Sequence, residues 1–302
     1  MFEKLFSDRG LSLDRLRALV EIHNAGGIAK AAPGDPIRQS QYSRQLRELS
    51  EFFGVEVARR QGRQLKLTHQ GAHLAELVRT QFISLQDFRA ECRAETVDYT
   101  VAAGDSLIQW LVIPRLAKAL PTLLNARFAT SNLRTNDIVQ QLTDGRVDFG
   151  VIRKDAITAP LKSAALGTLT FTLVVPKSLA PRRGTIAFSE ALTRLPFATH
   201  TSDGQFTEKL REIAKGLGSE MQPRLICQSF PQALAAVRSG GFASILPTIA
   251  LKELEADSYV EVSANELNDL RRDIVIAWNA RMVSVRPNTK KLIEQLQQAW
   301  RI

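Results

Sequence analysis

The sequence predicts an α+β protein in three stretches: a small helical N-terminal segment closed by a hairpin, one long helix, and a C-terminal α/β half. Three observations predict this. Short helical patterns in the first 68 residues are cut by Gly and Pro; residues 70–95 carry one uninterrupted helical pattern; beyond Thr96, β-type runs alternate with helical ones. With 302 residues the chain can hold about two domains of roughly 100–200 residues each.

Leu13, Leu16, Leu19, Val20 and His23 mark the first helix, which the Gly26-Gly27 pair ends. A second short helix, around Ile28 to Ala32, stops at PGDP (33–36), because proline neither donates nor fits inside a helix. The third pattern is QSQYSRQLRELSEFFG, residues 39–54. In it Tyr42, Leu46, Leu49 and Phe53 recur at helical spacing and form one apolar stripe. At about 100° per residue Ser40, Arg44 and Arg47 fall opposite that stripe, flanked by Gln41, and no carboxylate lies between Pro36 and Arg47. After Gly54, VEV (55–57) and LKLT (65–68) read as two strands turning at Gly62. Helix, turn, helix and hairpin make the winged helix-turn-helix layout, here residues 1–68.

From Gln70 to Glu95, Leu74, Val78, Gln81, Leu85, Phe88 and Cys92 alternate at spacings of four and three, an apolar seam of coiled-coil type. A helix of this length reaches roughly 40 Å, more than a small domain can cover. Residues 69–96 therefore read as a linker that pairs with a second copy through Leu74, Val78, Leu85 and Phe88. Packing on the same chain is the competing use.

The C-terminal strand candidates are 97–104, 147–152, 171–176, 196–200, 224–229, 242–247 and 272–279, with helical segments near 106–120, 136–143, 205–217, 231–239 and 287–300. Such alternation implies mostly parallel sheets covered by helices. No internal repeat or low-complexity tract stands out.

Composition narrows the function classes. The formal charge of +9 makes an anionic partner plausible without identifying it. Cys92 and Cys227 form neither a CxxC pair nor a metal spacing, so both read as buried packing residues in a reducing compartment. MFEKLFSDRGLSLD is broken by charges and does not read as a signal peptide, and no apolar run approaches a membrane span. The expected compartment is the cytoplasm. The four histidines are dispersed, and no GxSxG, HExxH or P-loop pattern points to an enzyme. No cofactor or metal site is expected.

The outer face of the third helix suits a nucleic acid. Amides and guanidinium groups pair with base edges in the major groove, which makes Gln39, Gln41 and Arg44 the candidate readers. Ser40, Ser43 and Arg47 are better placed for phosphate oxygens, which position a protein without reading sequence. The hairpin adds Arg59, Arg60, Arg63 and Lys66, and residues 57–69 hold no acid. The competing use of Arg44 and Arg47 is a solvated face paired with Glu48 and Glu51. The first 68 residues hold 12 Lys and Arg against 8 Asp and Glu, so the basic footprint is local and centred on the wing.

LDRLRALVEIHNAGGIAKAA and SRQLRELSEFFGVEVARRQGRQLKLTHQG resemble the DNA-binding region of the LysR-type transcriptional regulators. LVIPRLAKALP, LTDGRVDFGVI and GGFASILP follow the family's effector domain in order, so the resemblance spans essentially the full chain. Departures lie at PGDP, where members carry a helical segment with an apolar anchor, at Arg38, where a Ser commonly caps, and at Ser40, where Pro is usual. Capping is expected to pass to Ser40.

The resemblance implies a dimeric or tetrameric regulator that binds promoter DNA and a small-molecule effector, with RNA polymerase as a further partner. It also implies that residues 97–302 form two α/β subdomains of periplasmic-binding-protein type, 97–168 plus 270–302 and 169–269. Ligands in such folds sit at carboxyl ends of strands and at helix N-termini. Asp105, Ser106, Thr135 (as an N-cap), Ser202, Ser229 and Phe242 meet that description. Hydroxyl-rich walls suit a small polar or carboxylated effector, although Asp105 would repel an anion. A cytoplasmic small-molecule-binding or scaffolding module, its winged helix no longer reading DNA specifically, is the alternative, and a cysteine redox switch a weaker one.

Overall fold

The computed structural model describes residues 3, 5, 10–61, 64–123, 125–181, 186–200, 205–218, 220–286 and 288–302. The chain divides into two compact units: Met1–Arg93 with Ser284–Pro287, and Ala94–Val283 with Asn288–Ile302.

The first unit is built on three helices. α1 (Leu13–Ala25) starts at Ser12, whose side chain accepts from the Arg15 amide, and ends at Gly26, whose φ of 76° only glycine adopts readily. It buries Ala18, Leu19 and Ile22, whereas Leu13, expected on the stripe, is exposed in the first turn. α2 (Ile28–Ala31) is a single turn cut by the PGDP segment. α3 (Pro36–Phe53) begins inside that segment rather than after it. Its cap is Asp35, which accepts from the Arg38 amide at 2.9 Å, and not Ser40 as expected. Pro36 lacks an amide proton to satisfy and holds a helical φ, so the helix gains its first turn there. Tyr42, Leu46 and Leu49 are buried against Leu19, Ile22 and Ile28.

β1 (Ala58–Gln61) and β2 (Gln64–Leu67) form an antiparallel hairpin with Gln61 opposite Gln64. The expected turn at Gly62 lies outside the described residues. The first strand is ARRQ, not VEV. Val57 is buried, its carbonyl accepts from the Thr68 amide, and Thr68 Oγ1 reaches the Glu56 carbonyl at 2.6 Å. VEV thus clamps the start of α4 (His69–Cys92). Gly71 permits the approach, because a Cβ there would lie 1.9 Å from the Val57 carbonyl oxygen.

Along α4 the seam splits. Leu74 packs partly buried and Val78 fully buried against the unit's own residues, but Leu85 and Phe88 are 60% and 62% exposed. Cys92 is exposed, contrary to expectation, because α4 has by then run beyond the helices that cover its start. Within this unit residues 284–287 meet the far part of α4. Ser84 donates to the Val285 carbonyl at 2.7 Å, and Arg286 grips Asp87 through Nε and Nη2.

The second unit holds two five-stranded sheets. The first uses β3 (Val97–Ala103), β4 (Ala126–Asn132), β5 (Phe149–Arg153), β6 (Leu161–Leu169) and β12 (Arg272–Asn279), ordered β4-β3-β5-β12-β6. The second uses β7 (Phe171–Pro176), β8 (Phe197–His200), β9 (Leu225–Cys227), β10 (Ala243–Pro247) and β11 (Tyr259–Val262), ordered β11-β7-β10-β8-β9. The chain passes between sheets at Thr170 and returns before Arg272. The sheets are mixed rather than mostly parallel: β12 runs antiparallel to β5 and β6, and β7 antiparallel to β10 and β11. Those strands are reached by direct crossings or turns, not by βαβ crossovers, so nothing forces them parallel.

Helices cover the sheets: α5 (Asp105–Leu107) continues through a π-turn into α6 (Ile113–Ala119), followed by α7 (Thr135–Thr143), α8 (Phe188–Arg194), α9 (Gln205–Gly216), α10 (Phe230–Arg238), α11 (Ala280–Val285) and α12 (Thr289–Ala299). The main core gathers Phe149, Phe197, Leu173 and Trp300, while Ile138 and Leu142 of α7 seal the outer face of the first sheet.

Candidate nucleic-acid interface and ligand cleft

The outward face of α3 and the wing converge. Gln39, Ser40, Ser43, Arg60 and Lys66 line one hollow of about 540 Å³ with Lys30 and the Gly26-Gly27 turn. Gln41 lies on the other flank, in a hollow of about 390 Å³ shared with Ile37, Arg38 and Gln45. Gln39 spends a donor on the turn, its Nε2 reaching the Ala32 carbonyl at 2.7 Å. Arg44 meets Glu48 at 3.0 Å and Arg47 meets Glu51 at 3.7 Å, so both guanidinium groups have acids one turn on. Glu48 also takes a hydrogen bond from Arg15, and these two bonds, Arg15 first, hold its carboxyl below the usual range.

Arg38 is a tie between helices. Its Nε donates to the Tyr42 hydroxyl at 3.0 Å, and that hydroxyl donates to Glu21 of α1. Burial, and then the Glu21 carboxylate, push the Tyr42 hydroxyl up from its ordinary value, which keeps it a donor. This polar tie holds the first turn of α3 where α2 is only one turn long.

In the wing, Arg59 stands directly opposite Lys66 and Arg60 opposite Leu65. Like charges facing each other across a hairpin destabilise it, and nearby phosphates would relieve that cost. Arg63 lies outside the described residues. Sequence reasoning missed Lys30 and Ile37. Ile37 is 74% exposed in the first turn of α3, opposite the buried stripe. The same 100° arithmetic finds it once the helix is known to start at Pro36.

The second unit carries a cleft of about 470 Å³ lined from both sheets. Asp105, Ser106, Thr135 and Ser229 line it, at the carboxyl ends of β3, β4 and β9. Thr135 is the first residue of α7, and the N-cap is Arg134. Phe242 is not among the lining residues and packs half-buried against the core; Ser202 lies outside the described residues. Three lining arginines, Arg134, Arg153 and Arg272, were not foreseen, nor was His200. Arg153 follows a recognised strand, so the carboxyl-end rule, applied to cations as well as hydroxyls, would have found it. Arg272 begins β12 and was hidden by the parallel expectation. Because β12 runs against β5, with Ile274 opposite Arg153, its amino end reaches the cleft.

A winged helix-turn-helix with this surface, in one chain with a two-sheet unit holding a ligand-sized cleft, defines a ligand-responsive DNA-binding regulator. Residues 13–72 match the model of bacterial regulatory helix-turn-helix proteins of the lysR family, and residues 96–301 match the LysR substrate binding domain. The chain belongs to the LysR family of transcriptional regulators. It is 24% identical over 297 residues to a probable nitrogen assimilation transcriptional activator of Synechococcus elongatus, covering 92% of each chain. Its fold is similar to full-length OxyR from Pseudomonas aeruginosa, with TM-score 0.67, 19% identity and 97% and 95% of the two chains covered. It is also similar to full-length CbnR solved with its target DNA, with TM-score 0.57, 18% identity and 96% and 100% covered. Among the described residues no helix is long and apolar enough to cross a membrane.

Proposed function

We propose that this LysR-type regulator reads promoter DNA with the outward stripe of α3, centred on Ile37, Gln41 and Arg44. The wing and the hollow beside it, with Ser40, Ser43, Arg47, Arg59, Arg60 and Lys66, grip phosphates. Gln39 braces the turn as well as facing the hollow, which leaves it a smaller share of the reading. The observation that carries this is the Arg59–Lys66 pair: two cations held face to face on a hairpin are a local fault that an anionic partner removes. The complex of CbnR with its target DNA supports the docking by likeness of fold.

Leu85 and Phe88 of α4, with Leu77 beside them, form the pairing surface for a second copy, extending the seam that Leu74 and Val78 begin. The cleft of the second unit takes a small-molecule effector. The domain reading is 1–68 for DNA binding, 69–96 for pairing and 97–302 for the effector, in two subdomains. The chain is a regulator rather than an enzyme, acts in the cytoplasm where promoter DNA is reached, and meets RNA polymerase there.

Selection from fragmented genomic DNA tests the reading. The full chain is expected to enrich discrete promoter fragments, and footprints on them should be dyad-related as a paired reader requires. Enrichment no different from input DNA would contradict it.

A further inference from the structure

We propose that the cleft of the second unit accepts a small organic anion with a flat apolar body, of the aromatic carboxylate class. This rests on the reading of the cleft as the effector site. The described lining carries three guanidinium groups, Arg134, Arg153 and Arg272, against one carboxylate, Asp105. The carboxylate that the sequence suggested would repel an anion is therefore outnumbered. A guanidinium fork matches a carboxylate two-pronged, which it cannot do with an amide or a hydroxyl. Two nine-residue helices, α7 and α10, begin at the same cleft, and neither N-cap side chain, Arg134 or Ser229, makes a capping bond. Their first amides and positive ends add to the field of the arginines.

The remaining wall is aromatic. Phe171, Phe206 and Phe230 interlock with ring centroids 5.1 to 5.7 Å apart. His200 stacks on Phe230 at 4.2 Å and 19°. All four line the cleft. An inorganic anion would use the arginines and leave this wall idle, while a sugar or an organic cation would find too few acceptors opposite it. A planar acid uses both walls. The volume of about 470 Å³ falls within the roughly 300–1,000 Å³ of small-molecule pockets.

The test is calorimetric titration of the full chain with benzoate, cinnamate and phthalate, beside benzamide, cinnamamide, aniline and sulfate. At least one of the three acids is expected to bind saturably, with its amide or aniline at least tenfold weaker and sulfate weaker still. Arg272→Gln is expected to erase the preference for acid over amide. Phe206→Leu should weaken the aromatic acid while leaving sulfate unchanged. Arg134 is exposed, so Arg134→Gln repeats the charge test should Arg272→Gln fail to fold. No saturable binding of any acid at 10 mM, sulfate binding as tightly as the acids, or an intact acid preference in a folded arginine variant would each overturn the proposal. Retention of selected promoter fragments by the same preparation is measured in parallel. Its loss would count against the DNA-binding reading and not against this one.

Discussion

Ile37 shows how one residue can carry a functional argument. It stands in the first turn of α3, mostly exposed, in the middle of a face that is otherwise polar. Fully burying an aliphatic side chain of this size is worth roughly 1.5–3 kcal/mol, and the thymine methyl is the apolar group that the major groove offers. Ile37→Ala is expected to weaken binding to the selected duplex. Replacing the contacted thymine by uracil should cost the natural protein a similar amount and the variant nothing more. If both proteins lose equally at every thymine, Ile37 does not touch a methyl group. At this scale the sequence revealed residue types better than residue partners. Gln41 and Arg44 were legible as an outward polar face, but the brace from Gln39 to Ala32 and the Glu48 bridge between Arg15 and Arg44 depend on tertiary packing.

The wing is the element on which general affinity rests. Arg60 and Lys66 line the hollow that holds Ser40 and Ser43. Removing one cation from a phosphate should lower the slope of log affinity against log salt by about 0.9. Arg60→Ala combined with Lys66→Ala is expected to remove close to two such units on any duplex, which a fluorescence titration across salt concentrations reads; an unchanged slope would take the wing out of the interface. Elements with strong patterns were legible: β7 and β12 fall where their apolar runs predicted, and α4 ends within three residues of its expected limit. The missed strands lack such patterns. β4 (ARFATSN) is a sheet edge with little apolar content, and β6 (LKSAALGTL) is rich in small residues. The displaced first wing strand has a tertiary cause, since Val57 is consumed by Thr68 and Gly71 at the start of α4.

For the whole molecule, the first consequence is assembly. Leu85 and Phe88 remain exposed in one chain, on a helix already longer than its own domain needs. Leu85→Glu or Phe88→Glu places a carboxylate in the pairing seam, and sedimentation equilibrium is expected to shift toward the monomer mass. An unchanged mass would place the self-contact elsewhere. Pairing doubles the reading surface, so the two consequences are linked: a monomeric variant should also lose affinity for a dyad site far more than for a half-site.

The most direct test of the central claim, that α3 reads bases while the wing holds phosphates, is a comparison of two affinities at one fixed salt concentration. Fluorescence anisotropy would compare the full chain and its Gln41→Ala and Arg44→Ala variants on the selected duplex and on a scrambled duplex of equal length. The account predicts that the natural protein prefers the selected duplex by about a thousandfold or more. Each substitution should cost about 1–3 kcal/mol on that duplex and much less on the scrambled one. Equal affinity of the natural protein for both duplexes, or equal losses on both in the variants, would contradict it.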